Sequence, residues 1–376
     1  MLTEAQREKK RKIPDSAVVI AALVFLLALG LTAIFSPGGT FSGWERRVLA
    51  DRPATPDLTD WHTNKAVEDF LKDHIPGRQA LVAVDSTVQF LTGRGSRLNT
   101  WVVSGALVEP PVPANIRSLE TKLRRFEKLA DDIPWALVTP KTHGWLIRDR
   151  MIQSMAAQYD TEGEAYAILE ACENTVAMPE AFDANPDTMY YSTDHHWTLQ
   201  GAYQAYTALG GRLGYEPLPL DAFSITEYEN FRGTTLSRSG LPLPWKDILV
   251  CAEPDSPVTL TMIDQDGETT ASRLIFPEDA VTYDGYAVYL HGNHGTLIIE
   301  RPDAPTGTLV VFKDSFANCL LPLLSQHYRR IIAVDARYDS GIFSDALARS
   351  DNTKAILFVY SLDSLVNDSE ITKRAK

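Results

Sequence analysis

The sequence predicts an α/β fold built around a mostly parallel sheet, and two observations support this architecture. Helical and strand patterns alternate along the chain, which is typical of α/β proteins. The strand patterns near the carboxyl terminus are apolar throughout, as strands are when helices cover both faces of a parallel sheet. An apolar run near the amino terminus adds a membrane-spanning helix to the predicted fold.

The amino-terminal apolar run extends from Ser16 to Phe35 and contains no charged residue. A helix of this length rises roughly 30 Å, which is the thickness of the hydrocarbon core. Basic residues precede the run, and the positive-inside rule places that end in the cytoplasm and everything after Phe35 outside. A cleaved signal peptide is the alternative, but its apolar core is usually shorter and no clear A-x-A site follows. We therefore expect a cytoplasmic segment over 1–15 and an anchor over 16–35. The basic residues are Arg7, Lys9, Lys10, Arg11 and Lys12.

The composition is that of a folded, acidic protein. The 376 residues include 36 basic and 49 acidic side chains, a net charge of −13. Such a surface argues against nucleic acid as a partner, because the phosphate backbone attracts a basic face. The cysteines Cys172, Cys251 and Cys319 form no CxxC pair, so we do not expect a zinc cluster. We predict no metal and no cofactor. One disulfide with a cysteine left over, or three buried thiols, both fit these positions.

Residues 36–110 are predicted to form a stalk and a helical lead-in. Proline and glycine end the apolar run after Phe35, and the polar, proline-containing stretch 52–60 is typical of irregular structure. The predicted elements of this region are a helix over 64–72, a second helix that ends at about Leu91 and a strand over 101–103.

Residues 111–376 form the predicted α/β domain. Apolar residues recur from Ile116 to Leu129 at intervals of three and four, which indicates a helix with one apolar stripe. Between about 217 and 305, short β-type runs alternate with turn residues, and we interpret this stretch as a β-rich insertion. The other predicted elements are a helix over 198–213, a helix after Ser315, and strands over 135–138, 259–262, 286–290, 297–300, 309–312, 331–334 and 355–360.

Ser315 follows an apolar strand, in the segment Phe312-Lys313-Asp314-Ser315-Phe316. A serine hydroxyl is a weak nucleophile, and it needs a base and an oxyanion site to react. At a strand-to-helix turn, the first backbone N–H groups of the helix point outward and can stabilise an oxyanion. The alternative is that Ser315 only caps the helix.

Asp194 and His196 lie just before the helix predicted over 198–213. A neutral histidine can take the proton of a serine, and a carboxylate can fix the tautomer of that histidine. Their two-residue spacing suits a bent loop in which both side chains reach one point. Three alternatives stay open: histidines satisfied in the core, a cluster at the helix start, and a metal site. The metal site is disfavoured because three adjacent residues rarely converge on one ion.

Several segments around these residues occur in a recognisable order. They are Tyr191-x-x-Asp194-His195-His196-Trp197-Thr198-x-x-Gly201-Ala202-Tyr203, Phe231-Arg232-Gly233-Thr234-Thr235-Leu236, Lys313-Asp314-Ser315-Phe316-Ala317-Asn318, His327-Tyr328 and Asp335-x-Arg337-Tyr338. Together they resemble the DHHW protein family over most of the chain after the anchor. That family is similar to the SGNH hydrolase-like proteins of alginate O-acetylation, in which an Asp-x-His motif precedes a GDSF-like serine motif.

The resemblance implies an SGNH hydrolase-like domain in which Asp194 orients His196, His196 is the base and Ser315 is the nucleophile. It also implies a membrane-bound O-acyltransferase as the partner that passes an acetyl group across the membrane. Two positions depart from the acetylation proteins. Lys313 stands where they commonly have glycine, and His195 replaces a smaller residue and is interpreted as structural.

Four other side chains are weaker candidates for contact with a substrate or an oxyanion. Lys313 could aid an oxyanion or merely cap the turn, and Arg337 could hold an acyl oxygen or a sugar or form a surface ion pair. Asn293 could donate to an oxyanion, although a turn asparagine is the favoured interpretation. Trp197 could stack on a sugar ring or anchor its loop as a buried aromatic.

The leading hypothesis is a two-step acyl transfer to surface polysaccharide. Ser315 accepts an acetyl group, His196 shuttles the proton, and a polysaccharide hydroxyl takes the acyl group outside the cell. A carbohydrate acetylesterase is one alternative, because water and a sugar hydroxyl are chemically alike as acceptors. A non-catalytic protein of glycan binding or wall assembly is the other.

Overall fold

A seven-stranded sheet forms the centre of the protein in this computed structural model. The structure describes residues 15–35, 39–45, 47–53, 61–93, 95, 100–339 and 341–376. The basic residues before the anchor and most of the predicted irregular stretch 52–60 lie outside these residues.

The described strands are β1 (Phe41–Ser42), β2 (Arg47–Val48), β3 (Trp101–Val103), β4 (Ala106–Val108), β5 (Trp135–Val138), β6 (Phe223–Phe231), β7 (Asp247–Pro254), β8 (Thr259–Asp264), β9 (Gly267–Ala271), β10 (Thr296–Glu300), β11 (Thr306–Lys313), β12 (Tyr328–Val334) and β13 (Thr353–Val359). The pairs β1–β2, β3–β4 and β6–β7 form small two-stranded sheets, and the other strands belong to the central one.

The described α-helices are α1 (Asp15–Phe35), α2 (Trp61–His74), α3 (Arg78–Leu91), α4 (Ile116–Ala130), α5 (His143–Leu146), α6 (Gln153–Ala156), α7 (Asp160–Ala171), α8 (Glu180–Ala184), α9 (Pro186–Met189), α10 (Leu199–Leu213), α11 (Thr234–Ser239), α12 (Pro277–Ala280), α13 (Leu321–Leu324), α14 (Phe343–Ala348), α15 (Leu362–Asn367) and α16 (Ser369–Arg374). Short 3-10 turns cover Arg148–Arg150, Ala157–Tyr159, Leu220–Ala222, Gly285–Val288 and Ser315–Ala317.

The central sheet is mixed, so the prediction of a mostly parallel sheet is wrong. Its strand order is β5-β13-β11-β12-β10-β8-β9. The pairings from β5 to β12 are parallel, whereas those from β12 to β9 are antiparallel. The antiparallel strands come from the stretch predicted as an insertion, and they extend one edge of the sheet. An apolar strand pattern indicates burial and does not reveal the direction of the neighbouring strand.

The strand predicted over 286–290 is also wrong, because the chain forms a 3-10 turn over Gly285–Val288. The apolar side chains that suggested a strand are buried in the core, with Tyr286 at 3% exposure and Val288 and Leu290 at 0%. Leu290 has a φ of 61°, a left-handed conformation that ends any extended run. Tertiary packing therefore explains the apolar pattern better than a strand does.

Most other predicted elements are confirmed, including the strands 101–103 and 135–138 and the helix stripe from Ile116 to Leu129. The helix after Ser315 is much shorter than expected and consists of a 3-10 turn followed by α13.

Two hydrophobic cores cover the two faces of the parallel strands. Along β11, Leu309 and Val311 point into one core, and Val310 and Phe312 point into the other. The alternation follows the two-residue period of a strand. Because both faces are buried, every residue of this strand is apolar in its central part, as the sequence showed.

Helix α1 is, in the described part of the chain, the one helix long and apolar enough to cross a membrane. Its end is held by the residues that follow it. Ala33 is 1% exposed, and Arg52 Nη2 donates to the carbonyl of Ile34 at 2.6 Å. The lead-in is packed against this end through α2. All three cysteines are free thiols.

Candidate active site

The candidate site lies at the carboxyl ends of the parallel strands, where open α/β sheets usually place their ligand sites. The strands β5, β11, β12 and β13 end side by side. The segments that follow them bring Thr142, Ser315, Arg337 and Ser361 to the wall of one cavity of about 270 Å³.

Ser315 begins the 3-10 turn that follows β11. The preceding Asp314 fixes this turn, because its carboxylate accepts hydrogen bonds from the backbone N–H groups of Phe316 at 3.0 Å and Ser361 at 2.8 Å. The backbone N–H of Ser315 itself has no acceptor in the part of the chain that the structure describes. It is therefore free to donate to a negatively charged oxygen next to the hydroxyl.

Asp194 and His196 lie in a tight loop between α9 and α10. The loop is closed by a bridge between Tyr190 and Trp197. Asp247, at the start of β7, fixes the first residues of this loop. Its carboxylate accepts four hydrogen bonds at 2.6–3.1 Å, one from the backbone N–H and one from the hydroxyl of each of Ser192 and Thr193. The sequence analysis missed this carboxylate, because nothing in the sequence links position 247 to positions 192 and 193.

Asp194, His196 and Ser315 form one continuous chain of hydrogen bonds. His196 Nδ1 lies 2.6 Å from Asp194 Oδ1, and His196 Nε2 lies 2.7 Å from Ser315 Oγ. With Nδ1 protonated toward the carboxylate, Nε2 carries a lone pair that can accept the serine proton. The structure thus brings together the three residues that the sequence analysis selected for catalysis.

The carboxylate of Asp194 is fully buried but well supplied with donors. Oδ1 accepts from the backbone N–H of His196 at 2.9 Å, and Oδ2 accepts from the backbone N–H of Thr234 at 2.5 Å. Burial alone would raise the pKa of Asp194. Attraction to His196 and His195 in their protonated forms, together with the hydrogen bonds from the His196 side chain and the Thr234 backbone, outweighs it and holds the pKa well below its ordinary value. Asp194 is therefore an anion at neutral pH.

The imidazole of His196 is packed between rings. Tyr286 stacks on it with a centroid distance of 3.9 Å and an interplanar angle of 7°, and the ring of Phe316 lies 5.1 Å away. Burial, and then the nearby His195, lower the pKa of His196 below its ordinary value, while Asp194 opposes the shift. A neutral His196 is the form that can act as a base.

The segment 231–236 supplies backbone donors to the loop that carries Asp194. The backbone N–H of Gly233 donates to Thr193 Oγ1 at 2.9 Å, and the next residue, Thr234, donates to Asp194. No side chain fits at position 233, since a Cβ there would lie 2.3 Å from the Cβ of Asp194. The glycine lets the two backbones approach closely enough for these hydrogen bonds.

Trp197 is fully buried, so its ring does not reach the cavity. Its indole Nε1 donates to the carbonyl of Phe316 at 3.0 Å and thereby ties the histidine loop to the serine turn. This contact corresponds to the loop-anchoring alternative rather than to stacking on a sugar.

Lys313 and Asn293 lie beneath the serine turn and do not line the cavity. The amine of Lys313 is fully buried, donates to Asn318 Oδ1 at 2.8 Å and lies 3.8 Å from Asp335. Asn293 accepts from Asn318 Nδ2 at 3.1 Å. Burial lowers the pKa of Lys313, and the carboxylate of Asp335 partly opposes this shift. Lys313 supports the turn from inside the protein, whereas Asn293 is partly exposed and is linked to the turn through Asn318.

Arg337 lines the cavity beside Ser315. Its Nε and Nη2 donate to the buried carboxylate of Asp335 at 2.9 and 2.6 Å, which fixes the plane of the guanidinium. Burial opposes the charge, but the hydrogen bonds and charge of Asp335 raise the pKa of Arg337 above its usual value. Nη1 takes no part in this pair and remains able to donate to a substrate.

The cavity also contains side chains that the sequence analysis did not select, among them His143, Tyr190 and Arg238. His143 follows β5 by a few residues and stacks on Tyr190 at 5.1 Å. Burial lowers the pKa of His143 to about 4, so this ring is neutral. The rule that sites open at the carboxyl ends of parallel strands could have found His143, whereas Arg238 lies on α11 and had no such signal.

His195 lies beside Asp194 and His196 and is partly exposed in the cavity. Its Nδ1 is 3.6 Å from Asp194 Oδ1 and 3.9 Å from Glu109 Oε1. The ligand atoms of Asp194, His195 and His196 lie within 4.8 Å of one another, close enough for a metal ion. Asp194 and His196, however, face each other, and His196 Nε2 faces Ser315, so an ion would have to break both hydrogen bonds.

The motifs that carry the predicted resemblance lie largely within one stretch of the chain. Residues 181–334 match the DHHW protein family. This stretch contains Asp194, His196 and Ser315, and the match confirms the resemblance predicted from the sequence. A search among curated proteins finds no significant match.

Two of the solved structures that align with this chain share its fold at low sequence identity. Bacillus cereus PatB1 with a sulfonyl adduct aligns with a TM-score of 0.60 and 20% identity, over 74% of this chain and 100% of that chain. A DHHW family protein from Eubacterium siraeum aligns with a TM-score of 0.58 and 17% identity, over 73% and 94% of the two chains. The O-acetyltransferase domain of Pseudomonas putida AlgJ aligns with a TM-score of only 0.42 and 14% identity, over 72% and 92%.

Proposed function

We propose that this protein transfers acetyl groups to a cell-surface polysaccharide through an acyl-enzyme on Ser315. The observation that carries the proposal is the continuous hydrogen-bond chain from Asp194 through His196 to Ser315, which opens on a cavity. A chain of this geometry is what a serine nucleophile requires, because the hydroxyl needs a base and the base needs a fixed tautomer.

In the first step, Ser315 Oγ attacks the carbonyl carbon of an acetyl donor while His196 Nε2 takes its proton. The tetrahedral oxyanion forms next to the backbone N–H of Ser315, which has no other acceptor among the described residues. The donor's leaving group then departs with the proton from His196. Asp194 stays ionised throughout and stabilises the imidazolium, consistent with a pKa well below its usual value.

In the second step, a polysaccharide hydroxyl enters the cavity and loses its proton to His196 while its oxygen attacks the acetyl carbonyl carbon. The bond between that carbon and Ser315 Oγ then breaks, the serine oxygen takes the proton back from His196, and the acetylated polysaccharide leaves. The exposed donors of Arg337 are available to hold the acyl oxygen or the sugar. The cavity of about 270 Å³ is too small for a polymer, so a long polysaccharide would lie across its mouth with the acceptor hydroxyl directed inward.

We also propose that α1 anchors the protein in the cell membrane, with the amino terminus in the cytoplasm and the rest outside. The apolar length of α1 supports this topology, and so do the basic residues that precede it in the sequence. In this topology the domain and the polysaccharide acceptor lie on the same side of the membrane, and a membrane-bound O-acyltransferase would supply the acetyl group.

The first test is hydrolysis of a chromogenic acetyl ester by the full chain in detergent. We expect activity that is lost in Ser315→Ala and in His196→Ala, with both variants folded by circular dichroism. Unchanged activity in Ser315→Ala would reject a serine mechanism and would leave a non-catalytic, glycan-binding protein as the better hypothesis.

A second test separates transfer from hydrolysis. Oligosaccharides of known composition are added to the same reaction, and acetylated products are identified by mass spectrometry. We expect acetyl transfer to sugar to compete with release of acetate. Acetate release alone, together with removal of acetyl groups from an acetylated oligosaccharide, would instead assign a carbohydrate acetylesterase.

A further inference from the structure

The end of the anchor is packed against the folded part of the protein. Ala33, near the end of α1, is 1% exposed, and the carbonyl of Ile34 accepts a hydrogen bond from Arg52. Four residues after the anchor, the carbonyl of Gly39 lies 3.3 Å from His74 Nε2 at the end of α2. These contacts place the end of α2 close to the point where the chain leaves α1.

The hairpin β1–β2 follows immediately and exposes apolar side chains. Phe41 and Val48 are direct partners across the hairpin and are 39% and 71% exposed. The ring of Tyr283, which is 54% exposed, lies 4.9 Å from that of Phe41. Because Phe41 is six residues beyond Phe35, it lies at most about 20 Å from the end of the anchor. The interface between lipid and water, where aromatic side chains are enriched, is within this distance of the helix end.

Helix α3 is attached to the same hairpin. Arg78, its first residue, donates from Nε and Nη2 to the carboxylate of Glu45, at 3.2 and 3.0 Å. Glu45 lies in the turn between β1 and β2. The start of α3 is thus fixed beside the hairpin and beside the end of α2.

One face of α3 is apolar and uncovered. Leu81, Val84, Val88 and Leu91 recur at intervals of three and four and are 55%, 62%, 53% and 75% exposed. The opposite face packs on the α/β domain, residues 111–376, which we call the head. Ser86 on this face is buried and approaches Gly240 so closely that a Cβ at position 240 would lie 2.5 Å from Ser86 Oγ. The exposed stripe therefore points away from the head.

We propose that α3 lies on the outer leaflet of the membrane, with Leu81, Val84, Val88 and Leu91 in contact with lipid. A helix with one apolar face, fixed beside a membrane anchor, is the arrangement of helices that lie in the membrane interface. This inference rests on the proposed outward topology of the anchor and is independent of the proposed chemistry. Its consequence is that the head is held against the membrane by a rigid lead-in.

The test uses the full chain in vesicles of phosphatidylcholine and phosphatidylglycerol. Single cysteines are placed by Val84→Cys and Val88→Cys in a Cys172→Ser background and labelled with an environment-sensitive dye. The other native thiols stay unlabelled, because burial raises the pKa of Cys251 and of Cys319 to about 12. Leu26→Cys in the anchor is the positive control, and Ile152→Cys, on the head and 66% exposed, is the matched apolar control.

We expect spin-labelled lipids to quench the dye severalfold more at positions 84 and 88 than at 152, and aqueous iodide to do the reverse. Iodide quenching at 84 and 88 equal to that at 152 would overturn the proposal. Protection from both quenchers would overturn it as well, because a second copy or another protein would then cover the stripe. Absence of lipid quenching at position 26 would reject the anchor itself. Hydrolysis of the acetyl ester by the same samples reports on the catalytic proposal separately.

Discussion

At the scale of single residues, the site depends on a few hydrogen bonds whose partners come from distant parts of the sequence. The Asp-x-His and serine motifs could be selected from the sequence, because their chemistry and order resemble a known family. Asp247, Thr234 and Tyr286 could not, since a backbone donor, a buried carboxylate and a stacking ring leave no local pattern. The burial of Lys313 and Trp197 could not be predicted either, because a side chain next to a candidate catalytic residue in sequence need not face the same cavity.

The contribution of Asp194 is tested by Asp194→Asn. Loss of the charge removes the partner that fixes the His196 tautomer, and the amide can present a donor where His196 requires an acceptor. We expect the rate of ester hydrolysis to fall by on the order of 10³–10⁴-fold with little change in fold. Ser237→Ala, on nearby α11, is the control and should keep full activity. A fall of less than tenfold in Asp194→Asn would argue against this role.

The dependence of activity on pH follows from His196. Only its neutral form accepts a proton, and burial lowers its pKa below the ordinary value of about 6.5. As pH falls, activity is therefore retained until the pH reaches this lowered pKa. A profile of kcat/KM against pH should place the acidic limb below pH 6.5. An acidic limb above that value would mean that His196 is stabilised in its charged form.

At the scale of elements, the carboxyl ends of four parallel strands create the site, and a loop held by Asp247 and Gly233 completes it. These segments were recognisable as buried strands because they are apolar throughout. The antiparallel edge was not, since pairing direction depends on contacts between strands far apart in sequence. The segment 286–290 shows the same limit: apolar residues that pack around His196 imitate the pattern of a strand.

The close approach at Gly233 is tested by Gly233→Ala. The new methyl group would overlap Asp194 and Thr193, so we expect a loss of about 1–3 kcal/mol in the free energy of unfolding and reduced ester hydrolysis. The matched control is Gly211→Ala in α10, where a Cβ meets nothing within 4 Å. There we expect a gain of roughly 0.5–1 kcal/mol and normal activity. Chemical denaturation measures both, and equal stability of the two variants would contradict the packing described.

At the scale of the whole molecule, the apolar helix α1, the lead-in and the α/β domain form a connected arrangement. The sequence predicted the anchor from its apolar length alone. It did not predict how the lead-in packs beside the end of this helix, because the contacts that order the lead-in join separate segments. Examples are the ion pairs of Asp73 with Arg47 and of Glu45 with Arg78. The apolar stripe of α3 could be seen only once the opposite face of that helix was shown to be buried.

The free state of the cysteines is a further property of the whole molecule. Because all three are free thiols, no covalent link adds to the stability of the fold. We expect the thermal unfolding midpoint of the full chain in detergent to be the same with and without dithiothreitol. A clear drop on reduction would indicate a disulfide and would contradict the structure.

The most direct measurement is the modification of Ser315 itself. The full chain is incubated with an acetyl ester, quenched in acid and analysed by peptide mass spectrometry. We predict a single acetyl group on Ser315, absent from both His196→Ala and Ser315→Ala. An unmodified Ser315 in the native protein, or equal acetylation in His196→Ala, would contradict the claim that His196 activates this hydroxyl.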